Sequence, residues 1–147
     1  MSDLNVALGQ SGAKHTITVD DVTYPVSYVD QKAKTAWAKW LFSKEREAEE
    51  MGKANYTEEE YQKRLEKLNK RYLMGEFELI EELSMTVIKT RTGMLKLCSI
   101  LFGVDEMTML NLMIAKGQEI TSLVQLILKE SLRQPKEGKP GGSDPNA

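Results

Sequence analysis

At Asp30 the spacing of apolar residues changes from two to three and four, and it does not change back. Before that point, from His15 to Val29, Ile17 and Val19 and then Val22, Tyr24, Val26 and Tyr28 alternate with polar residues. Alternation over such a length marks a half-buried strand, and the break at Asp20-Asp21 makes two strands of it. If those two aspartates form a two-residue turn, Val19 faces Val22, Ile17 faces Tyr24 and Thr18 pairs with Thr23 on the opposite side. The turn lacks the glycine such turns favour, and Pro25 removes a backbone donor, so the second strand belongs at a sheet edge. A two-stranded hairpin is marginal alone and needs a helix or another chain beneath it.

After Asp30, a plausible N-cap, Ala33, Ala36, Trp37, Trp40 and Leu41 follow helical spacing, and the mixed-charge run Lys44 to Glu50 continues as a wet face up to Gly52. Thr57-Glu58-Glu59-Glu60 is a capping box, with Tyr56 and Tyr61 at the staple positions, so a helix starts there with the apolar row Tyr61, Leu65, Leu68, Tyr72. Apolar positions at Phe77, Ile80, Leu83, Val87 and Ile88, followed by the run Met94 to Phe102, predict one bent helix or two short ones. Asp105 caps a further helix with Met109, Leu110, Met113 and Ile114 inward and Gly117 closing it, and Ile120, Leu123, Val124, Ile127 and Leu128 predict the last.

The fold expected is mainly α, an N-terminal β-hairpin followed by a compact array of four to six helices and a disordered C-terminal tail. With 147 residues the chain suits one domain. We expect a flexible arm over 1–13 and a single globular domain over 14–134, with the hairpin at 15–29 and helices over 30–134. A tail from Pro135 to 147, rich in proline and glycine, has nothing apolar to bury.

The inventory argues against an enzyme. His15 is the only histidine and Cys98 the only cysteine, and Cys98 sits in an apolar run that makes it a core residue. One histidine and one cysteine cannot furnish a zinc site, and no phosphate loop, nucleophile elbow or calcium loop is present. Carboxylates such as Glu59, Glu78 and Glu81 read as surface charge. No catalytic residue, metal or cofactor is expected. Twenty basic against twenty-two acidic residues leave no field to attract nucleic acid or an anionic membrane. Met1 to Lys14 does not have the build of a signal peptide, and no apolar run reaches the roughly 18 residues of a membrane span, so we expect a cytoplasmic protein.

Protein partners are what remain. Trp37 and Trp40 read as core or interface packing rather than a base-stacking platform, since basic surroundings are missing. Met85, Met94, Met107, Met109 and Met113 crowd the second half, where flexible thioethers fill a helical core or a partner groove. The partner-binding candidates are Trp37, Trp40, Met107, Met109, Met113, Tyr24 and Tyr28.

The stretch Ile17-Thr18-Val19-Asp20-Asp21-Val22-Thr23-Tyr24-Pro25-Val26, leading into the Trp37 and Trp40 helix, resembles the opening of small proteins encoded among the tail genes of tailed bacteriophages. Met109 to Leu132, with Gly117-Gln118-Glu119-Ile120 and Leu123 to Leu132, is similar to the helical endings of phage tail assembly chaperones. The likeness is one of pattern over about residues 16 to 132. It implies an assembly factor of the host cytoplasm that coats the tape-measure protein before the tail tube polymerises. The alternatives are a structural component of the virion, in the tail or head, and then a small nucleic-acid-binding regulator. Tape-measure or virion subunits are the implied partners, and a homo-oligomer is compatible with either role.

Overall fold

The computed structural model describes the backbone from Ala13 to Gly138 and side chains from His15 to Ser131. Residues 1–12 of the expected arm and 139–147 of the expected tail lie outside the described residues. The chain is mainly helical, with a two-stranded antiparallel hairpin followed by five helices. The hairpin pairs β1 (Ala13–Val19) with β2 (Val22–Ser27), so it opens two residues earlier than alternation alone indicates. Its helices are α1 (Gln31–Met51), α2 (Glu58–Leu73), α3 (Glu82–Ile88), α4 (Arg91–Phe102) and α5 (Glu106–Gly138), with a single 3-10 turn at Lys53–Asn55 between α1 and α2. The described residues sort into two compact units: those up to Ala33 together with those from Leu95 onward, and Lys34–Met94.

In the first unit the hairpin has the expected register, Val19 opposite Val22, Ile17 opposite Tyr24 and Thr18 opposite Thr23. The two threonine hydroxyls are hydrogen-bonded at 2.9 Å. Asp20 and Asp21 have φ of 52° and 68°, so aspartates fill the two left-handed positions of a tight primed turn that glycine usually takes. Pro25 sits opposite Thr16, where its missing donor is tolerated because among the described residues β2 has no third strand beside it. The hairpin is tied to the end of α5: His15 Nε2 lies 3.3 Å from Glu130 Oε1, and the Val29 amide donates to Ser131 Oγ at 3.3 Å. Tyr24 packs on Phe102 with ring centroids 6.5 Å apart. Val19, Val26, Leu97, Cys98, Leu101, Met109, Ile120, Val124 and Ile127 are among the buried residues of this unit.

Two glycines end helices here by conformation. At the end of α2, Gly75 (φ 82°) lets its own amide reach Tyr72 O and the Glu76 amide reach Arg71 O. At the end of α4, Gly103 (φ 69°) does the same with Ile100 O and, through Val104, Ser99 O. Both are the two-bond glycine stop that satisfies the last carbonyls.

Asp105 caps α5 by accepting the Thr108 amide at 2.7 Å. That amide, and then the Thr108 hydroxyl, hold the Asp105 carboxyl below the ordinary aspartate value. A lowered folded-state value means the cap contributes fully above the ordinary aspartate range and is lost as the pH falls through the depressed value. Exchange of the Thr108 amide, corrected for its intrinsic pH dependence, should therefore speed up only in strong acid, and in the Asp105→Ala variant it should be fast at every pH.

α5 is not continuous. Lys116 has φ −139° and ψ 40°, a break one residue before the glycine expected to close a helix there. Beyond it the helix runs through Gly138, three residues past Pro135, where the tail was expected to begin. Pro135 supplies no N–H to the carbonyl four residues earlier, so this last turn has one backbone bond fewer.

In the second unit Thr57 and Glu60 form the reciprocal capping box, at 2.9 Å and 3.1 Å. Thr57→Ala should cost about 1 kcal/mol in denaturant unfolding, since it strands an amide at the start of α2. Tyr61 and Leu68 are the buried positions of this helix. Arg64 reaches Glu49 on α1 through two bonds, at 2.7 Å and 3.1 Å, and covers the Tyr56 ring at 4.4 Å, tying α1 to α2. Phe42, Tyr72 and Phe77 form an aromatic trio with centroids 4.6 Å to 6.2 Å apart.

Two expectations fail in this unit. Residues 74–81 are turns and not the start of a helix, and Ile80 is exposed while Leu79 is buried in its place. The turn is held from inside: Ser84 Oγ donates to Phe77 O at 3.0 Å and accepts Trp37 Nε1–H at 2.8 Å.

Candidate interaction surface

The expected partner residues separate by burial. Trp37 and Met109 are fully buried and leave no side-chain surface for a partner, which corrects their place among the candidates. Trp37 is held by Ser84, and Trp40, half-buried, packs on it with ring centroids 5.1 Å apart and planes tilted by 46°. Tyr24 and Tyr28 are half-buried, the first against Phe102 and the second edge-on to His15 at 6.1 Å, so both serve the seat of the hairpin. Met113 is half-buried, and Met107 is 69% exposed. Trp37 and Trp40 belong to the second unit and the other five to the first.

Met107 is joined by two residues expected inside. Leu110 is 43% and Ile114 77% exposed, while Leu112, which had no assigned role, is buried beside Met109. Positions 107, 110 and 114 fall on one stripe of a helix. The residues around them, Asn111, Ala115 and Gln118, are exposed and uncharged. The charges that border this face are neutralised within the chain: Lys96 Nζ lies 3.3 Å from Glu106 Oε2, and Lys116 Nζ lies 3.3 Å from Glu119 Oε1. The first half of α5 thus presents a short apolar stripe whose charged sequence neighbours Glu106 and Lys116 are each ion-paired, while the Asp105 carboxylate is taken up as the cap. Such a face suits an apolar helix and gives an anionic polymer nothing to hold.

The second unit offers a different surface. Leu73, Met74 and Ile80 are exposed around the turn after α2. An open hollow of about 450 Å³ lies between Met51, Tyr56 and Tyr61, with Lys53 over the Tyr61 ring at 5.0 Å.

Chemistry for a reaction is thin. Burial pushes the Cys98 thiol up to about 12, so at neutral pH it is a protonated core residue and no nucleophile. Among the described residues no three His, Cys, Asp or Glu side chains come together in a way that could hold a metal. No single described helix is long and apolar enough to cross a membrane. The chain matches no protein-family model, no curated protein and no solved structure.

Proposed function

We propose that this chain is a non-enzymatic assembly protein of a tailed bacteriophage, a tail assembly chaperone that holds the tape-measure protein in the host cytoplasm until the tube forms around it. The observation that carries the proposal is the Met107, Leu110, Ile114 stripe with its uncharged surroundings. A tape-measure protein is a long helical chain that must be kept from aggregating and then released. A single exposed stripe about two turns long binds weakly, and a methionine at its edge adapts to successive side chains. The likeness of the hairpin and of the C-terminal helix to phage tail proteins supplies the biological setting.

Co-expression with the tape-measure protein of the same phage, followed by pull-down, tests the reading. The chaperone role predicts that the tape-measure protein becomes soluble and co-purifies. A tape-measure protein equally soluble without this chain would sink it. The second reading, a permanent virion component, is favoured by the hairpin, whose two strands have no third strand on either side among the described residues. A neighbouring subunit could extend such a sheet. Mass spectrometry of purified particles decides between the two: a chaperone is absent or substoichiometric, and a virion component is present in fixed copy number.

A further inference from the structure

The cations of α2 are of two kinds. Arg64 is held by Glu49, and Arg71 pairs with Glu76 at 2.9 Å while covering the Phe77 ring at 5.2 Å. Lys63 meets only Glu59, at 3.7 Å, and the ammonium groups of Lys67 and Lys70 have no carboxylate within ion-pair range among the described residues. Lys63, Lys67 and Lys70 are all exposed and stand at i, i+4 and i+7, so they form one row. With Glu66 they line a shallow furrow of about 420 Å³. One turn further on, Leu73 is 83% and Met74 73% exposed, and the Gly75 stop fixes the backbone that carries them. A lysine in the last turn is expected from the helix dipole, which accounts for Lys70. It accounts neither for the rest of the row nor for two large apolar side chains left in water at its end.

We propose that this row is a docking strip for an acidic helix of a partner protein, with carboxylates over the lysines and an apolar residue over Leu73 and Met74. Charge complementarity at a defined spacing selects this partner. Lys63 and Lys70 are separated by roughly 10 Å along the axis, the rise of two helical turns, so a partner helix with acidic residues at the same interval meets all three cations at once. Glu66 stands within the row and Glu59 and Glu60 flank its start, and a uniformly negative surface such as an anionic bilayer or a nucleic-acid backbone would be repelled by them. A helix with spaced carboxylates avoids them. The strip lies in the second unit, on residues the chaperone reading does not use, and does not rest on that reading.

The test is fluorescence anisotropy of the full chain with a labelled peptide of about 20 residues, long enough to hold a helix, carrying glutamates at i, i+4 and i+7 and two leucines one turn on. Binding at low salt should weaken as salt is raised. It should fall about tenfold in Lys67→Glu/Lys70→Glu, equivalent to one step of the affinity scale, while the melting temperature drops by no more than the few degrees expected of an acidic residue in the last turn. Leu73→Ser/Met74→Ser should weaken it with the salt dependence retained, and a peptide with glutamines in place of glutamates should not bind. No binding at low salt, or binding indifferent to the charge reversal, would overturn the proposal. So would tighter sedimentation with phosphatidylserine vesicles than binding of the peptide, which would assign the strip to a membrane. Self-association that the charge reversal abolishes would overturn it in favour of a second copy.

Discussion

Replacing Gly93 by alanine should destabilise the chain by about 3 kcal/mol, a loss of roughly 10 °C in melting temperature, although alanine is the better helix former. Gly93 is the third residue of α4, and its backbone passes directly under the end of α3. An added Cβ would collide with the Val87 carbonyl oxygen, and it would stand 2.7 Å from the carbonyl carbon and 3.0 Å from Val87 Cγ1. The obstacle cannot swing aside. Val87 O already accepts the Thr90 amide at 2.9 Å and the Thr90 hydroxyl at 2.6 Å, and the same hydroxyl accepts the Gly93 amide at 3.0 Å. Relieving the clash therefore means opening the α3 to α4 turn and breaking its cap. Gly117→Ala is the matched control. Nothing lies within 4 Å of a Cβ there and its φ is not positive, so the variant should be neutral or gain up to about 1 kcal/mol. Urea melts of the two variants side by side check the contrast.

Trp37→Ala should cost still more, about 4 kcal/mol, because it empties the site of the largest fully buried side chain and takes away the donor to the buried Ser84 hydroxyl. Trp37 Nε1 donates to Ser84 Oγ, which donates on to Phe77 O, so one hydroxyl satisfies a buried indole and a buried carbonyl together. Two further variants separate volume from hydrogen bonding. Trp37→Phe keeps most of the bulk and loses the N–H. Ser84→Ala removes almost no volume but leaves both partners unsatisfied, and should cost about 2 kcal/mol. The double variant Trp37→Phe/Ser84→Ala should then be less destabilised than the sum, since the indole that Ser84 served is gone. Strict additivity in unfolding experiments would contradict the relay.

How much of this is readable from the chain alone differs by element. Hairpin register was legible because each strand has one period, one turn and few alternatives, and the two aspartates tolerate the left-handed backbone the turn demands. The Thr57 capping box was legible because it is local, three residues apart, and owes nothing to tertiary contacts. The inward face of the first half of α5 was not. Positions 107, 109, 110, 112, 113 and 114 are all apolar, a band too wide for one stripe, and the structure buries Met109 and Leu112 while Leu110 and Ile114 go out. The break at Lys116 lets the next segment restart its own phase, which is why Ile120, Val124 and Ile127 came out as expected.

Other features depended on contacts that no periodicity encodes. Ser84 looks like any helical serine until Trp37 and Phe77 are brought to it from 47 and 7 residues away. Gly93 looks like a helix weakness until the Val87 carbonyl is placed beneath it. The surface proposed for the client is half visible in the sequence: the methionine cluster marks Met107 as a partner residue, whereas helical spacing turns Leu110 and Ile114 inward. The absence of charge at Asn111, Ala115 and Gln118 is the sequence signal that sets this side apart from the charged helix faces elsewhere in the chain.

If the uncharged stripe on α5 holds an apolar helix, a charge placed within it must weaken that contact. Calorimetric titration of the full chain with a soluble segment of the tape-measure protein, using the native protein and Ile114→Lys, tests it most directly. A lysine at a position already 77% exposed should leave the melting temperature within a few degrees, and the account predicts that it weakens binding about tenfold or more by placing a charge in the apolar contact. Unchanged affinity in a variant that melts like the native chain would contradict it.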